Sequence, residues 1–210
     1  SNQRVIMLPF KAGDQAHGYD SLLVCPANAA FFALALANMQ GFVAIQDIPE
    51  NYTPRAIIYV APPFRHTHFD GKQVVVHNRS ESLHEVFAYN LYPGPSAKKG
   101  VYSVRLDIGE HEGWVCCHAS SALVETPYEN ETVFMHEGAS GGGKSEMLED
   151  FKREPDGRLL LGEHVVTGEQ YFLDLRESCS IFPISDDMAL CHSAYQDPVE
   201  GKLRIVDAEA

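Results

Sequence analysis

Apolar residues crowd "AAFFALALANM", Ala29 to Met39, so tightly that they cover most of a helical circumference. Good helix formers fill the stretch and Gly41 follows it as a C-terminal stop, so the segment predicts a helix buried in a core. Short runs rich in β-branched and aromatic residues come next: "FVAIQDI" at 42–48, "RAIIYVA" at 55–61, "KQVVVHN" at 72–78 and "EVFAYNLY" at 85–92. Pro, Gly and Asp separate them, as turn residues separate strands. Composition marks "PGPSAKKG", Pro93 to Gly100, as a loop, and "VYSVRLDI" after it alternates like a half-exposed strand. "GWVCCHASSALV" and "ETVFMHE" predict two further strands with "TPYEN" as the turn between them. A short polar helix is expected in "KSEMLEDFKRE", ended by Pro155, then hairpin material in "DGRLLLGEHVVTGEQYFLDL" and a last buried strand in "CSIFPI". Strands outnumber helices and no internal repeat or linker interrupts them. The expected fold class is α/β, with α+β character and mixed sheets.

Charge narrows the partners. Asp and Glu number 29 against 16 Lys and Arg, a formal charge of −13, which repels nucleic acid and anionic lipid. No nucleic acid and no membrane is expected as the main partner, although a local basic pocket for a small phosphate can persist in an acidic envelope. The five cysteines, Cys25, Cys116, Cys117, Cys179 and Cys191, lack C-x-x-C spacing, so neither a disulfide framework nor a zinc ribbon is suggested, and reduced thiols of a cytoplasmic protein are the simplest reading. The longest apolar run is too short to span a bilayer, and no charged start with a small-residue cleavage site precedes it.

The candidate chemistry begins at "HEGASGGGKSEMLED", His136 to Asp150. Gly138, Ala139, Ser140, Gly141, Gly142, Gly143, Lys144 and Ser145 satisfy G-x-x-x-x-G-K-[ST] between an expected strand and an expected helix. Glycines let the backbone wrap with its N–H groups inward, and a helix starting near Lys144 adds its positive end to that nest. Lys144 is then placed to hold the β- and γ-phosphates of a nucleotide and Ser145 to offer its hydroxyl to Mg²⁺. Such a cradle needs a metal-holding carboxylate at the end of a neighbouring strand, and "IFPISDDMALC" supplies Asp186 and Asp187. The plainer alternatives are a flexible glycine turn and a solvated acidic turn.

The spelling of the loop, with Ser140 third and Glu146 after Ser145, together with the Asp-Asp doublet, resembles the HPr kinase and phosphoenolpyruvate carboxykinase group of P-loop proteins. "YPGPSAKKGVYS", Tyr92 to Ser103, is similar to the carboxykinases' Lys-Lys-Gly segment, and "CCHASSAL", Cys116 to Leu123, to their His-containing segment before the loop strand. The resemblance spans Tyr92 to Cys191. It implies a carboxykinase-like fold comprising an N-terminal α/β region, 1–91, and a nucleotide- and metal-binding region, 92–210, truncated at its C-terminus. It further implies ATP (or GTP), Mg²⁺ and Mn²⁺ as cofactors and a small anionic substrate beside the nucleotide. Lys99, His118 and Asp187 are the implied Mn²⁺ ligands, Ser145 and Asp186 the implied holders of Mg²⁺, and Lys99, Lys144, Asp186 and Asp187 the implied catalytic set. A lysine ligates a metal only as the neutral amine, and the mixed nitrogen and oxygen donors of this set suit Mn²⁺.

Departures from the group are specific. No "RSPKD" segment with its substrate arginine is visible, "NRSES" at Asn78 to Ser82 being a short echo, and "GPSA" stands where the carboxykinases have Gly-Gly-Glu. The stretch between Lys144 and Asp186 is longer than theirs, so a hairpin insertion is expected there. Two alternatives therefore stand beside carboxykinase-like phosphoryl transfer: a small-molecule or protein-serine kinase of HPr kinase type, with Asp186 or Asp187 as general base, and a non-catalytic nucleotide-binding regulatory module. Elsewhere, His66 and His68 in "RHTHF" share one face if extended, His136 and Glu137 precede the loop, and Trp114 reads as core.

Overall fold

The structure, a computed structural model, describes residues 4–60, 69–89, 93–149, 153–174, 179–197, 201 and 203–208. Among these it is mixed α/β, mostly strands in several sheets with two α-helices. The chain divides into two compact units, Ser1–Cys116 with Leu190–Ala210, and Cys117–Ala189.

The first unit is built on β1 (Val5–Ala12), β2 (Tyr19–Pro26), β3 (Gly41–Phe42), β4 (Ala56–Val60), β5 (Val74–Arg79) and β6 (His84–Tyr89), ordered β3-β1-β2-β4-β6-β5. β2, β4 and β6 run parallel to one another, while β1 pairs β2 and β5 pairs β6 in antiparallel sense. The register places Ser21, Ala56 and His84 in one cross-strand row and Leu23, Ile58 and Val86 in the next. All six are buried, because side chains two apart along a strand share a face and that face carries the core. The β1–β2 hairpin had no counterpart in the sequence reading.

Helix α1 (Ala30–Met39) forms where the apolar run predicted it, extended at its start by a 3-10 turn over Ala27–Ala29. Only Phe32, Ala33 and Leu36 are buried, however, and Phe31 and Leu34 lie exposed. Helix α2 (Pro93–His111) replaces the expected loop and strand. "VYSVRLDI" satisfies period 2 by eye, but the buried positions Val101, Tyr102, Val104, Arg105 and Ile108 follow helical spacing. Proline is tolerated at the first helical position, so "PGP" does not bar a helix start. Gly100 lets α2 come close to the sheet, since a Cβ there would stand 3.3 Å from Val86 Cγ1. The strand expected at 42–48 shrinks to β3 followed by a 3-10 turn over Ile45–Asp47.

"GWVCCHASSALV" forms two strands rather than one, β7 (Trp114–Cys117) and β8 (Ala119–Glu125), with His118 at the bend between them. In the second unit β8 is the middle strand of an antiparallel sheet with β9 (Glu131–Glu137) on one side and β12 (Ser180–Ser185) on the other. The hairpin expected between the glycine loop and the acidic doublet is β10 (Leu159–Glu163) with β11 (Gln170–Leu173). The helix expected from Lys144 is a four-residue 3-10 turn, Ser145–Leu148, ended where Glu149 turns extended at φ −79° and ψ 133°. β13 (Ala189–His192) and β14 (Val206–Asp207) pair in the order β14-β13-β7. Trp114 is held there by edge and tilted contacts with His17, His192 and Tyr195 at 5.8, 5.2 and 5.5 Å between ring centres. No helix among the described residues is long and apolar enough to cross a membrane.

Candidate phosphate- and metal-binding site

The glycine loop leaves β9 at Gly138 and is shaped by two left-handed residues, Gly141 at φ 78° and Gly143 at φ 86°. A side chain at either position would pay the left-handed penalty. Gly142 donates its N–H to the Ala139 carbonyl at 3.1 Å, and a Cβ on it would stand 3.0 Å from that same oxygen. The loop therefore folds tightly on itself while Gly138, Ala139, Ser140, Gly141 and Gly142 stay exposed.

Lys144 is the buried member, 7% exposed, and its Nζ donates to the carbonyls of Gly138 at 3.0 Å and Ala139 at 3.2 Å. Its own carbonyl accepts from the buried Ser120 hydroxyl at 2.8 Å. One residue on, Ser121 and Ser185 share a buried hydrogen bond that ties β8 to β12. These three serines fix the base of the loop, and sequence reasoning did not assign them. The signal was available: small hydroxyl residues inside otherwise apolar strands must find partners once buried.

The acidic doublet lies at the end of β12. Ser145 Oγ donates to Asp186 Oδ1 at 2.8 Å, so the loop serine and the first acid are brought together as expected. The Met188 N–H closes a tight turn on the Asp186 carbonyl at 2.9 Å, and Asp187 between them takes φ 69°. Aspartate is among the few non-glycine residues that occupy this region at low cost. The turn aims Asp187 Oδ1 to within 3.6 Å of His118 Nε2. That nitrogen is inaccessible and has no hydrogen-bond partner among the described residues. A buried nitrogen without a partner beside a carboxylate can be satisfied by a cation, and the mixed nitrogen and oxygen donors fit Mn²⁺.

Lys99 stands on α2 in the first unit, exposed, with its ammonium 5.2 Å from the centre of the Tyr102 ring. Among the described residues no three His, Cys, Asp or Glu side chains form a metal-binding group; two pairs, Ser145 with Asp186 and His118 with Asp187, are what the second unit assembles. His66 and His68 lie outside the described residues. A helix dipole does not contribute at Lys144, because the turn that follows is four residues long.

The whole chain, residues 1–210, matches the family described as "Domain of unknown function (DUF4914)", and it belongs to that family. A comparison with curated proteins returns no match.

Proposed function

We propose that the chain binds a nucleoside triphosphate, ATP or GTP, with Mg²⁺ and Mn²⁺, and serves phosphoryl transfer of carboxykinase-like type to a small anionic substrate. The observation that carries this reading is the hydrogen bond from Ser145 to Asp186 directly beyond a glycine loop whose lysine is buried. Hydroxyl, carboxylate and ammonium are the three groups a phosphate cradle with its cation requires, and here they arise from one turn and one strand end.

The residues act as follows. Lys144 exchanges its two loop carbonyls for phosphate oxygens, and the turn forced by Gly141 and Gly143 offers backbone N–H groups to the same anion. Ser145 and Asp186 would hold Mg²⁺, and His118 with Asp187 would hold Mn²⁺. Bound there, the cations supply neutralisation of charge on the transferred group. Ser120, Ser121 and Ser185 keep the loop base from shifting when the ligand enters. The His118 nitrogen facing Asp187 favours a carboxykinase-like site over a kinase of HPr kinase type. Lys99 remains in the proposed catalytic and Mn²⁺-binding set on the strength of the "SAKKG" resemblance. The resemblance also supports a carboxykinase-like fold.

Ser145→Ala and Asp186→Asn test the cation half. Each should abolish the Mg²⁺ dependence of nucleotide affinity, measured by calorimetric titration with and without the metal, while leaving metal-free nucleotide binding nearly intact. Retention of full Mg²⁺ dependence in both variants would refute the placement.

A further inference from the structure

Strand β5 closes one edge of the first unit's sheet, and two histidines meet there against α2. In the antiparallel register Arg79 faces His84 and His77 faces Val86, so His77, Arg79 and His84 share one side of the sheet. Asn78 and Glu85 take the other side, joined at 2.8 Å. His77 is half-buried, and its Nδ1 lies 2.9 Å from His84 Nε2. The His84 ring is only 1% exposed, and its other nitrogen, Nδ1, stands 2.9 Å from Asp107 Oδ2 on α2. That approach is an ion-pair distance without hydrogen-bond alignment, so Nδ1 has no hydrogen-bond partner among the described residues.

Two imidazole nitrogens 2.9 Å apart attract each other only while one carries a proton and the other a lone pair. The surrounding charges decide how many protons the pair tolerates. From α2 comes Asp107, whose carbonyl is met by His111 Nδ1 at 2.6 Å; from β5 comes Arg79, 3.5 Å from the same carboxylate. Arg55, before β4, gives its carbonyl to the His84 N–H at 2.9 Å, and its guanidinium is matched by Glu112. One added proton has a place, on His84 between Asp107 and His77. A second sets N–H against N–H and gathers His77, His84 and Arg79, all positive, around the Asp107 carboxylate. His84 is locked into the sheet interior, whereas β5 pairs with β6 alone among the described residues and is the part able to yield.

We propose that the His77–His84 contact is a two-proton latch, which holds β5 against the sheet while one ring keeps a lone pair and loosens that strand when both rings are protonated. Burial first, and Arg79 with it, holds the two imidazoles below the usual histidine range. The closed form therefore persists above the ordinary value of about 6.5, and opening belongs to more acidic pH. Every residue involved lies in the first unit, so the inference stands apart from the nucleotide reading.

Hydrogen exchange of the full chain, read by mass spectrometry at about pH 7 and about pH 5 and corrected for intrinsic exchange rates, tests the latch. Protection of Val74–Arg79 should fall by about tenfold or more between the two. At the acidic end β5 should be about a hundredfold less protected than Val5–Ala12 and Tyr19–Pro26, which stay folded. His77→Gln cannot gain the second charge and should reduce the fall in β5 by about tenfold. Protection of β5 that does not change with pH would overturn the latch, as would β5, β1 and β2 exchanging together at about pH 5. A parent-like fall in His77→Gln would overturn the assignment to this pair. The comparison among strands in the unsubstituted chain decides even if the variant does not fold.

Discussion

Asp187 allows the backbone of the acidic turn to be separated from its chemistry. At φ 69° an ordinary L-residue carries roughly 1–2 kcal/mol of left-handed strain, and aspartate sits toward the lower end of that range. Alanine at this position keeps the full strain and offers no local hydrogen bond. Glycine removes the strain but adds about 0.5–1 kcal/mol of unfolded-state freedom. Asp187→Gly should therefore be more stable than Asp187→Ala by about 1 kcal/mol, which for a chain of 210 residues corresponds to roughly 2–4 °C in melting temperature. Asp187→Asn should match the parent closely, because asparagine tolerates the same conformation. Thermal unfolding followed by circular dichroism in chelator-containing buffer gives the ranking. Mn²⁺ titration of the same proteins should rank them differently, with all three weakened whatever their stability. Equal melting temperatures for the glycine and alanine variants would refute the strain argument, and parent-like Mn²⁺ affinity in Asp187→Gly would refute the ligand role.

Other expectations follow from the core and from the neighbouring His77 and His84. Ile58 is fully buried in the row shared with Leu23 and Val86, so Ile58→Ala should cost about 2–5 kcal/mol in chemical denaturation, and a loss below about 1 kcal/mol would contradict the packing. Burial is the main force holding the His77 and His84 imidazoles below the usual histidine range; Arg79 acts the same way on both, and Asp107 opposes it. The unfolded chain then takes up protons first as pH falls. This contribution to stability is complete above the unfolded value of about 6.5 and is lost as pH drops through the lower folded values. Urea midpoints should decline from pH 7 toward pH 5 and decline less steeply in His77→Gln; superimposable profiles would sink the assignment.

The parts legible in the sequence were those set by local pattern. β4 falls within the run that predicted it, and β5 and β6 overlap theirs, each passing the expected bound by one residue, because β-branched residues between turn signals leave few other options. The G-A-S-G-G-G-K-S loop was legible because its glycines have a backbone task, and two of them perform it at positive φ. α2 was misread for a physical reason: "VYSVRLDI" fits two periods, and only the close approach allowed by Gly100 and the burial of Val101, Val104 and Ile108 select the helix. The helix after Lys144 was misread in the opposite direction, since "KSEMLED" has helical propensity but the chain turns extended at Glu149. Ser120, Ser121 and Ser185 signalled only that a buried hydroxyl in an apolar strand needs a partner; which partner depends on what each is buried against.

In the proposed site Gly138 to Ser145 cradles phosphate through Lys144. Titration of the full chain with ATP in the presence of Mg²⁺, compared with Lys144→Ala, tests it most directly. Charge-assisted hydrogen bonds of this kind contribute about 1.5–3 kcal/mol, so the account predicts that affinity falls by roughly tenfold or more in the variant. An unchanged affinity in a Lys144→Ala protein that is still folded would contradict it.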